Sequence, residues 1–364
     1  MTLTTWKIAH AKIEWREYLK AGLAILVLSF VSLAGLELLG QLYFAGNPNY
    51  FFEHRFLYTT PNSFRNVGRF WTYQPNSRID EIAIYRTPFR NFFKEYECHY
   101  RTDMLGFLDN PEADRRTYDV LLLGDSFTAG AGGCSWVDRL RAKVPGYAIY
   151  NAALPGTGLA NWAEIKRYLE TQGYEFRQVI LVFIAGDWSR RLKPKREREL
   201  ECLRDVTRCA HEVYYPLDEK IDLFEMSARR ARLRSNQLSD KLGYFWRKYF
   251  WVSEFLVSQS VPLFSHPDVR GVSVGGEAAE AFDRIVSISE PTRFVRITTK
   301  DEAALRTEDA ETLVVSKFFA ERSLQFETCR LEMDDFLGYD GHPNRRGYDK
   351  VAACVAQVVR GLQR

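Results

Sequence analysis

Two chemically capable groups stand far apart in this chain. Ser126 follows Val120-Leu-Leu-Leu-Gly-Asp125, and His342 sits within Asp340-Gly-His-Pro-Asn344. A serine hydroxyl is a poor nucleophile until a base removes its proton, so the serine needs a histidine within hydrogen-bond reach. Of the six histidines, His10, His54, His99, His211 and His266 lie in segments with no recognisable partner pattern, whereas His342 stands beside an acid. Asp340 is then the residue to orient the imidazole, as the third member of any such relay does. Both segments also have plain structural readings, Ser126 as a cap for the next helix and Asp-Gly-His-Pro-Asn as an ordinary turn.

The elements around them suggest how the two could meet. Asp119 to Leu123 is a short apolar run of the kind expected for a strand buried on both faces, and it runs into Gly124-Asp125-Ser126. That puts Ser126 at the carboxyl edge of a sheet, where open α/β folds bind ligands. Gly124 and Ala129-Gly-Ala-Gly-Gly133 are small enough to let a substrate approach the backbone. A helix from Trp136 to Lys143, a strand from Tyr147 to Asn151, a helix from Asn161 to Thr171 and a strand from Val179 to Ile184 follow. After a loop at Gly271 to Gly276 come helix Ala278 to Ile285, strand Arg293 to Ile297, helix Glu308 to Ser323, a short strand near Phe326 to Arg330 and a final helix from Arg346 to Gln363. This alternation predicts a parallel sheet with helices on both faces.

The chain has 364 residues and a formal net charge of only +3, without the concentrated basic field that gathers nucleic acid. Its N-terminus is different in kind. Ala21 to Phe44 is almost wholly apolar, interrupted by Glu37 and Gln41 near its far end, and is long enough as a helix to cross a bilayer. Lys7, Lys12, Arg16 and Lys20 precede it, so residues 1–20 are expected in the cytoplasm, 21–44 as an uncleaved anchor, and the rest on the far side of the plasma membrane. Six cysteines in an exported domain permit disulfides. Cys202 and Cys209 are close enough to staple one excursion, while Cys354, in an apolar stretch, reads as a buried small hydrophobe. No pair has zinc-site spacing, and no cofactor is expected.

Residues 45–117 are rich in aromatics without a sustained period and read as an irregular layer. An aromatic platform for carbohydrate is the sharper alternative to simple packing. Residues 118–364 form the α/β domain. Within it, about 189–267 reads as a charged helical cap, with helical stretches such as Leu223 to Leu242 and no strand signal, or as a solvated lobe remote from chemistry.

Four blocks in order resemble the SGNH (GDSL) hydrolases: Val120 to Gly130, Asn151-Ala-Ala-Leu-Pro-Gly156, Phe183-Ile-Ala-Gly-Asp187 and Asp340 to Gly347. The anchor and Tyr100-Arg-Thr-Asp-Met-Leu-Gly-Phe107 resemble membrane-anchored bacterial members. The resemblance implies a three-layer α/β/α flavodoxin-like fold and ester chemistry through a Ser126–His342–Asp340 relay. It also implies an oxyanion hole built from the N–H groups of Ser126 and Gly156.

Two features depart from that pattern. Asp340 precedes His342 by two residues where many relatives leave three, the next carboxylates back being Asp335 and Asp334, and Asp340 is retained. Asp187 stands where the family's third block supplies an asparagine, and an ionised carboxylate cannot donate a hydrogen bond. A protonated Asp187, a donor from the cap or from the Gly130 to Cys134 loop, and a weakened or inactive catalyst are the three explanations, the second being preferred. Three functions are consistent with this reading. The first is an extracytoplasmic serine esterase acting on O-acetyl or similar esters of a cell-surface or exported carbohydrate. The second is a saccharide O-acyltransferase using the same relay with a membrane acyl-donor partner protein. The third is a non-catalytic glycan-binding or scaffold protein of a polysaccharide export complex.

Overall fold

The computed structural model describes residues 3–45, 54–86, 91–110, 115–192, 194–209, 214–218, 220–234, 274–286 and 291–361. The chain divides into two compact units, Met1–Tyr50 with Leu233–Ser265 and Phe51–Arg232 with His266–Arg364. In the first, helix α1 (Leu3–Ala45) contains a stretch, Glu17–Leu39, long and apolar enough to cross a membrane. Its large apolar side chains, among them Leu23, Leu26, Phe30 and Leu33, are exposed, whereas Glu37 is buried rather than reaching outward.

In the second unit, β6 (Thr117–Tyr118) and β9 (Glu175–Phe176) form a short parallel pair, and two larger sheets matter to the site. An all-parallel five-stranded sheet is built from β7 (Val120–Gly124), β8 (Ile149–Asn151), β10 (Val179–Phe183), β12 (Thr292–Ile297) and β13 (Glu327–Cys329), in spatial order β13-β12-β10-β7-β8. Counted along the chain this is the flavodoxin-like order 2-1-3-4-5. Val120, Leu122, Ile180 and Val182 point to one face and meet α3 (Val137–Lys143) and the C-terminal helix α10 (Arg345–Arg360). Leu121, Leu123, Leu181 and Phe183 point to the other. There they pack with α4 (Leu159–Thr171), α7 (Gly276–Ile285) and α9 (Ala310–Glu321). The fold is therefore three-layer α/β/α. The central strands are buried on both faces, which is why they read as unbroken apolar runs.

The stretch expected to be irregular is a second sheet. Strands β1 (His54–Thr59), β4 (Arg78–Arg86) and β5 (Phe92–Arg101) pair antiparallel, and β2 (Phe64–Val67) and β3 (Phe70–Tyr73) form a hairpin. Residues Tyr96 to Arg101 do alternate buried and exposed, but β4 is buried on both sides from Glu81 onward, which erases the period of two.

The cap expectation is also corrected. Within its described part, α5 (Glu197–Arg204) and α6 (Leu223–Arg234) are helical, yet β11 (Tyr214–Pro216) is a strand paired parallel with β1. Three residues carry too little pattern to be read as a strand. Residues 235–273, including the rest of the expected helix to Leu242, lie outside the described residues.

All six cysteines are paired. Cys202–Cys209 is the short staple the spacing suggests, Cys98–Cys134 joins β5 to the loop after Ser126, and Cys329–Cys354 joins β13 to α10. Cys354 is thus a crosslink rather than a free buried thiol. Its apolar neighbourhood reflects the helix face that packs on the sheet, and the pairing follows from tertiary proximity.

Candidate active site

Ser126 opens the short helix α2 (Ser126–Ala129) directly after β7. The cap is Asp125, whose carboxylate accepts the Phe127 N–H at 2.8 Å, so Ser126 does not itself cap the helix. Its hydroxyl lies 3.3 Å from Asp125 Oδ2, to which it can donate, and is otherwise turned to the histidine loop. Gly124 is required by close approach, since a Cβ there would sit 2.0 Å from Thr128 Oγ1 and 2.4 Å from the Val182 carbonyl.

His342 reaches Ser126 from the loop between β13 and α10. Its Nε2 lies 2.8 Å from Ser126 Oγ. Its Nδ1 bonds Asp340 Oδ1, and the same oxygen accepts the His342 backbone N–H at 3.0 Å. Asn344 caps α10 just beyond, accepting the Gly347 N–H at 3.0 Å. The loop is held from both sides. Lys300 Nζ, from α8 (Lys300–Leu305), donates to the carbonyls of Leu337 at 2.7 Å and Gly338 at 2.5 Å. Glu95 of β5 accepts the Tyr339 N–H at 2.6 Å. At Gly132 (φ +87°) a Cβ would collide with Leu337 at 2.4 Å. This glycine thus serves packing against the histidine loop rather than substrate approach.

The second oxygen of Asp340 is engaged by the antiparallel sheet. Tyr85 of β4 donates to Oδ2 at 2.6 Å, and the Arg55 guanidinium of β1 lies 3.6 Å away. Burial alone would raise the Asp340 carboxyl. The charge and hydrogen bond of His342, then Arg55 and the Tyr85 hydroxyl, outweigh it and hold the group well below the usual carboxylate range. Asp340 is therefore ionised at neutral pH. Nothing in the sequence marked Tyr85 or Arg55, because the sheet that carries them was not read as one.

Ser126 and His342 open into a cavity of about 750 Å³. Gly156, Ala131, Arg55, Phe64, Trp71, Tyr96, Lys195, Arg196 and Tyr214 are among its lining residues. The Gly156 and Ser126 N–H groups have no hydrogen-bond partner among the described residues.

Asp187 is placed differently. It is buried beneath the sheet edge and is not among the residues lining this cavity. Its Oδ2 accepts the Ile184 N–H at 3.0 Å, and Oδ1 lies 2.5 Å from Arg190 Nη1. The same guanidinium nitrogen binds Asp125 Oδ2 at 2.8 Å and the Thr157 carbonyl at 2.9 Å. Burial and the nearby Asp125 charge push the Asp187 carboxyl up, with Arg190 opposing them. The carboxylate thus belongs to a buried ion-pair network behind the nucleophile.

No protein-family model matches the chain, and no curated protein sequence does. Among solved structures, the chain is similar to a member of the lipolytic protein G-D-S-L family from Veillonella parvula, at 11% identity over 66% of this chain and 98% of that one, with a TM-score of 0.31. It is also similar to a GDSL-like lipase from Bacteroides thetaiotaomicron, at 12% identity over 70% and 93% of the two chains, with a TM-score of 0.29. At these scores the overlaps carry no argument about chemistry. The strand order of the parallel sheet, with serine after its first strand and histidine before its last helix, is the α/β arrangement expected of the SGNH type.

Proposed function

We propose that this chain is a serine esterase, held at a membrane by α1, that cleaves acyl esters of a carbohydrate through an acyl-Ser126 intermediate. The observation that carries the reading is the continuous hydrogen-bond line from Ser126 Oγ through His342 to a buried carboxylate, at the mouth of a cavity of about 750 Å³. Ser126 Oγ attacks the ester carbonyl carbon while His342 Nε2 takes its proton, and ionised Asp340 stabilises the imidazolium. The oxyanion of the tetrahedral intermediate accepts from the N–H groups of Ser126 and Gly156. Collapse expels the alcohol, which receives the proton from His342. Water then repeats the sequence on the acyl-enzyme and releases the acid.

The carbohydrate assignment rests on the walls. Phe64, Trp71, Tyr96 and Tyr214 line the cavity, an aromatic wall of the kind against which sugar rings pack. The membrane assignment rests on the exposed apolar stretch of α1 behind its basic N-terminal flank.

Full-length chain in detergent micelles, given an O-acetylated oligosaccharide, should release acetate and lose that activity with Ser126→Ala. Acetyl appearing on an added acceptor sugar instead of in solution would assign the chain to saccharide O-acyl transfer, with a sugar hydroxyl in place of water. Failure of a fluorophosphonate to label Ser126, together with no turnover of any acetyl ester, would sink both readings.

Tyr85→Phe keeps the ring packed against Phe93 but removes the donor to Asp340. A hydrogen bond to a charged group contributes about 1.5–3 kcal/mol. Part of that is felt where the imidazolium forms, so kcat should fall roughly tenfold with KM little changed. Steady-state kinetics on one ester decide it, and an unchanged kcat would show that Tyr85 plays no part in positioning Asp340.

A further inference from the structure

The cations lining the cavity are not equivalent. Arg55 faces Asp340, and Arg196 is bound by Glu199 through Nη2 at 2.6 Å and Nε at 2.9 Å. Lys195 Nζ has no hydrogen bond or ion pair among the described residues. It sits instead over three aromatic rings, 4.1 Å from the centroid of Trp71, 4.3 Å from Phe64 and 5.2 Å from Tyr214. Its backbone is fixed, because Asn66 of β2 accepts the Lys195 N–H at 2.8 Å and donates to the Lys195 carbonyl at 3.0 Å.

The nearby acids Glu199 and Glu81 support its charge from a distance but form no ion pair with it, Glu199 being bonded to Arg196. Glu81 is buried and hydrogen-bonded to Tyr73, and burial raises its carboxyl. The lysine is thus an ammonium set against ring faces and lining the cavity that Ser126 opens into. Ring faces offset only part of the desolvation of such a charge, and an anion arriving in the cavity would supply the rest.

We infer that Lys195 is the recognition point for a single negative charge on the substrate, and that the ester cleaved here is carried by an acidic saccharide with a ring carboxylate. This rests on the esterase reading above and specifies its substrate class. One compact ammonium suits a monoanion, since a phosphate dianion would call for further cationic donors that Arg55 and Arg196 have already committed to carboxylates. The sugar then lies beside the lysine along the aromatic wall while the charge sets which end lies toward Ser126.

Desolvation lowers Lys195 to about 8, with Glu199 and Glu81 opposing. The sign follows directly: the ammonium is present below that pH and is lost as pH rises through it. Affinity for an acidic ligand should therefore fall above about pH 8, in a way that affinity for a neutral ligand does not.

The experiment uses full-length Ser126→Ala chain in detergent micelles, so that binding is read without turnover. Calorimetry compares an O-acetylated oligosaccharide of hexuronic acid with its carboxyl-reduced, neutral counterpart, for chains with Lys195 and with Lys195→Gln. The expected result is at least tenfold tighter binding of the acidic ligand, a preference that falls toward unity above pH 8 and collapses in Lys195→Gln at pH 7. Lys195→Arg should retain part of the preference, separating lost charge from lost packing. Equal affinity for the two ligands, or a preference that survives Lys195→Gln, overturns the assignment. The esterase reading is tested separately by fluorophosphonate labelling of Ser126 in the native sequence, so a catalyst without charge preference defeats only this inference.

Discussion

Ser126→Ala in the full-length chain should lower kcat for an acetyl ester by a factor of roughly 10⁶, leaving only the contribution of binding and oxyanion stabilisation. The size follows from the geometry. With His342 Nε2 at 2.8 Å from the hydroxyl and Asp340 locked behind it, the three groups act as one device. Adding His342→Ala to Ser126→Ala should therefore cost little more, since members of such a unit are strongly non-additive. Structural damage is expected to be slight: Asp125, not Ser126, supplies the cap of α2, so the helix keeps its start. Ester hydrolysis with matched circular dichroism spectra decides the matter. A Ser126→Ala chain retaining more than about a tenth of its activity would remove Ser126 from the mechanism.

Arg190→Leu should be the most damaging single change to the fold around the site. Arg190 stands between two fully buried carboxylates, Asp125 and Asp187, and also binds the Thr157 carbonyl. Removing one partner of a buried ion pair leaves an uncompensated charge, at a cost of about 3–5 kcal/mol. The pH dependence has a definite sign. Burial and the Asp125 charge already raise Asp187, and without Arg190 only the Ile184 N–H opposes them. A carboxyl whose folded-state pKa is raised destabilises above its unfolded value and is relieved by protonation as pH falls. The deficit in Tm should then be largest at high pH and shrink as pH falls. Asp187→Asn added to Arg190→Leu removes one of the two stranded charges and should recover a substantial part of the loss. If Arg190→Leu melts with the parent at pH 7, the ion-pair account of Asp187 is wrong.

That network also bears on the position at which the SGNH resemblance expects an asparagine. Oδ2 of Asp187 accepts the Ile184 N–H and Oδ1 is ion-paired with Arg190 without a hydrogen bond, away from the cavity. The non-catalytic reading drew its motivation from the missing amide donor at this position, and the pairing with Arg190 turns Asp187 away from that task without supplying a donor in its place. The partner was only three residues downstream, yet no local pattern distinguished Arg190 from the neighbouring Arg191 or from the other basic residues of that arginine-rich stretch.

Much of the α/β domain was legible because its strands are central. Val120 to Gly124 and Val179 to Phe183 are buried on both faces, and such strands write themselves as short apolar runs between helical stretches. Ser126 and His342 were legible for a related reason: each lies at a sheet end or helix start, marked by glycine, proline and capping residues. The antiparallel sheet was missed because the outer part of β4 shows no alternation once Glu81 to Arg86 are covered on both sides. With it were missed Tyr85, Arg55 and the aromatic setting of Lys195.

The sequence by itself determined the apolar N-terminal helix, the order and type of the parallel-sheet elements, and the identity of the hydroxyl and imidazole. These are properties of local periodicity and of residue chemistry, which a linear string carries in full. Tertiary structure alone decided that Asp340 is shared between His342 and a second sheet, that Cys354 pairs with Cys329, and that Lys195 faces the cavity over three rings. Each of these joins residues whose proximity depends on strand register and on which faces are packed together, and neither is written in any window of neighbouring residues.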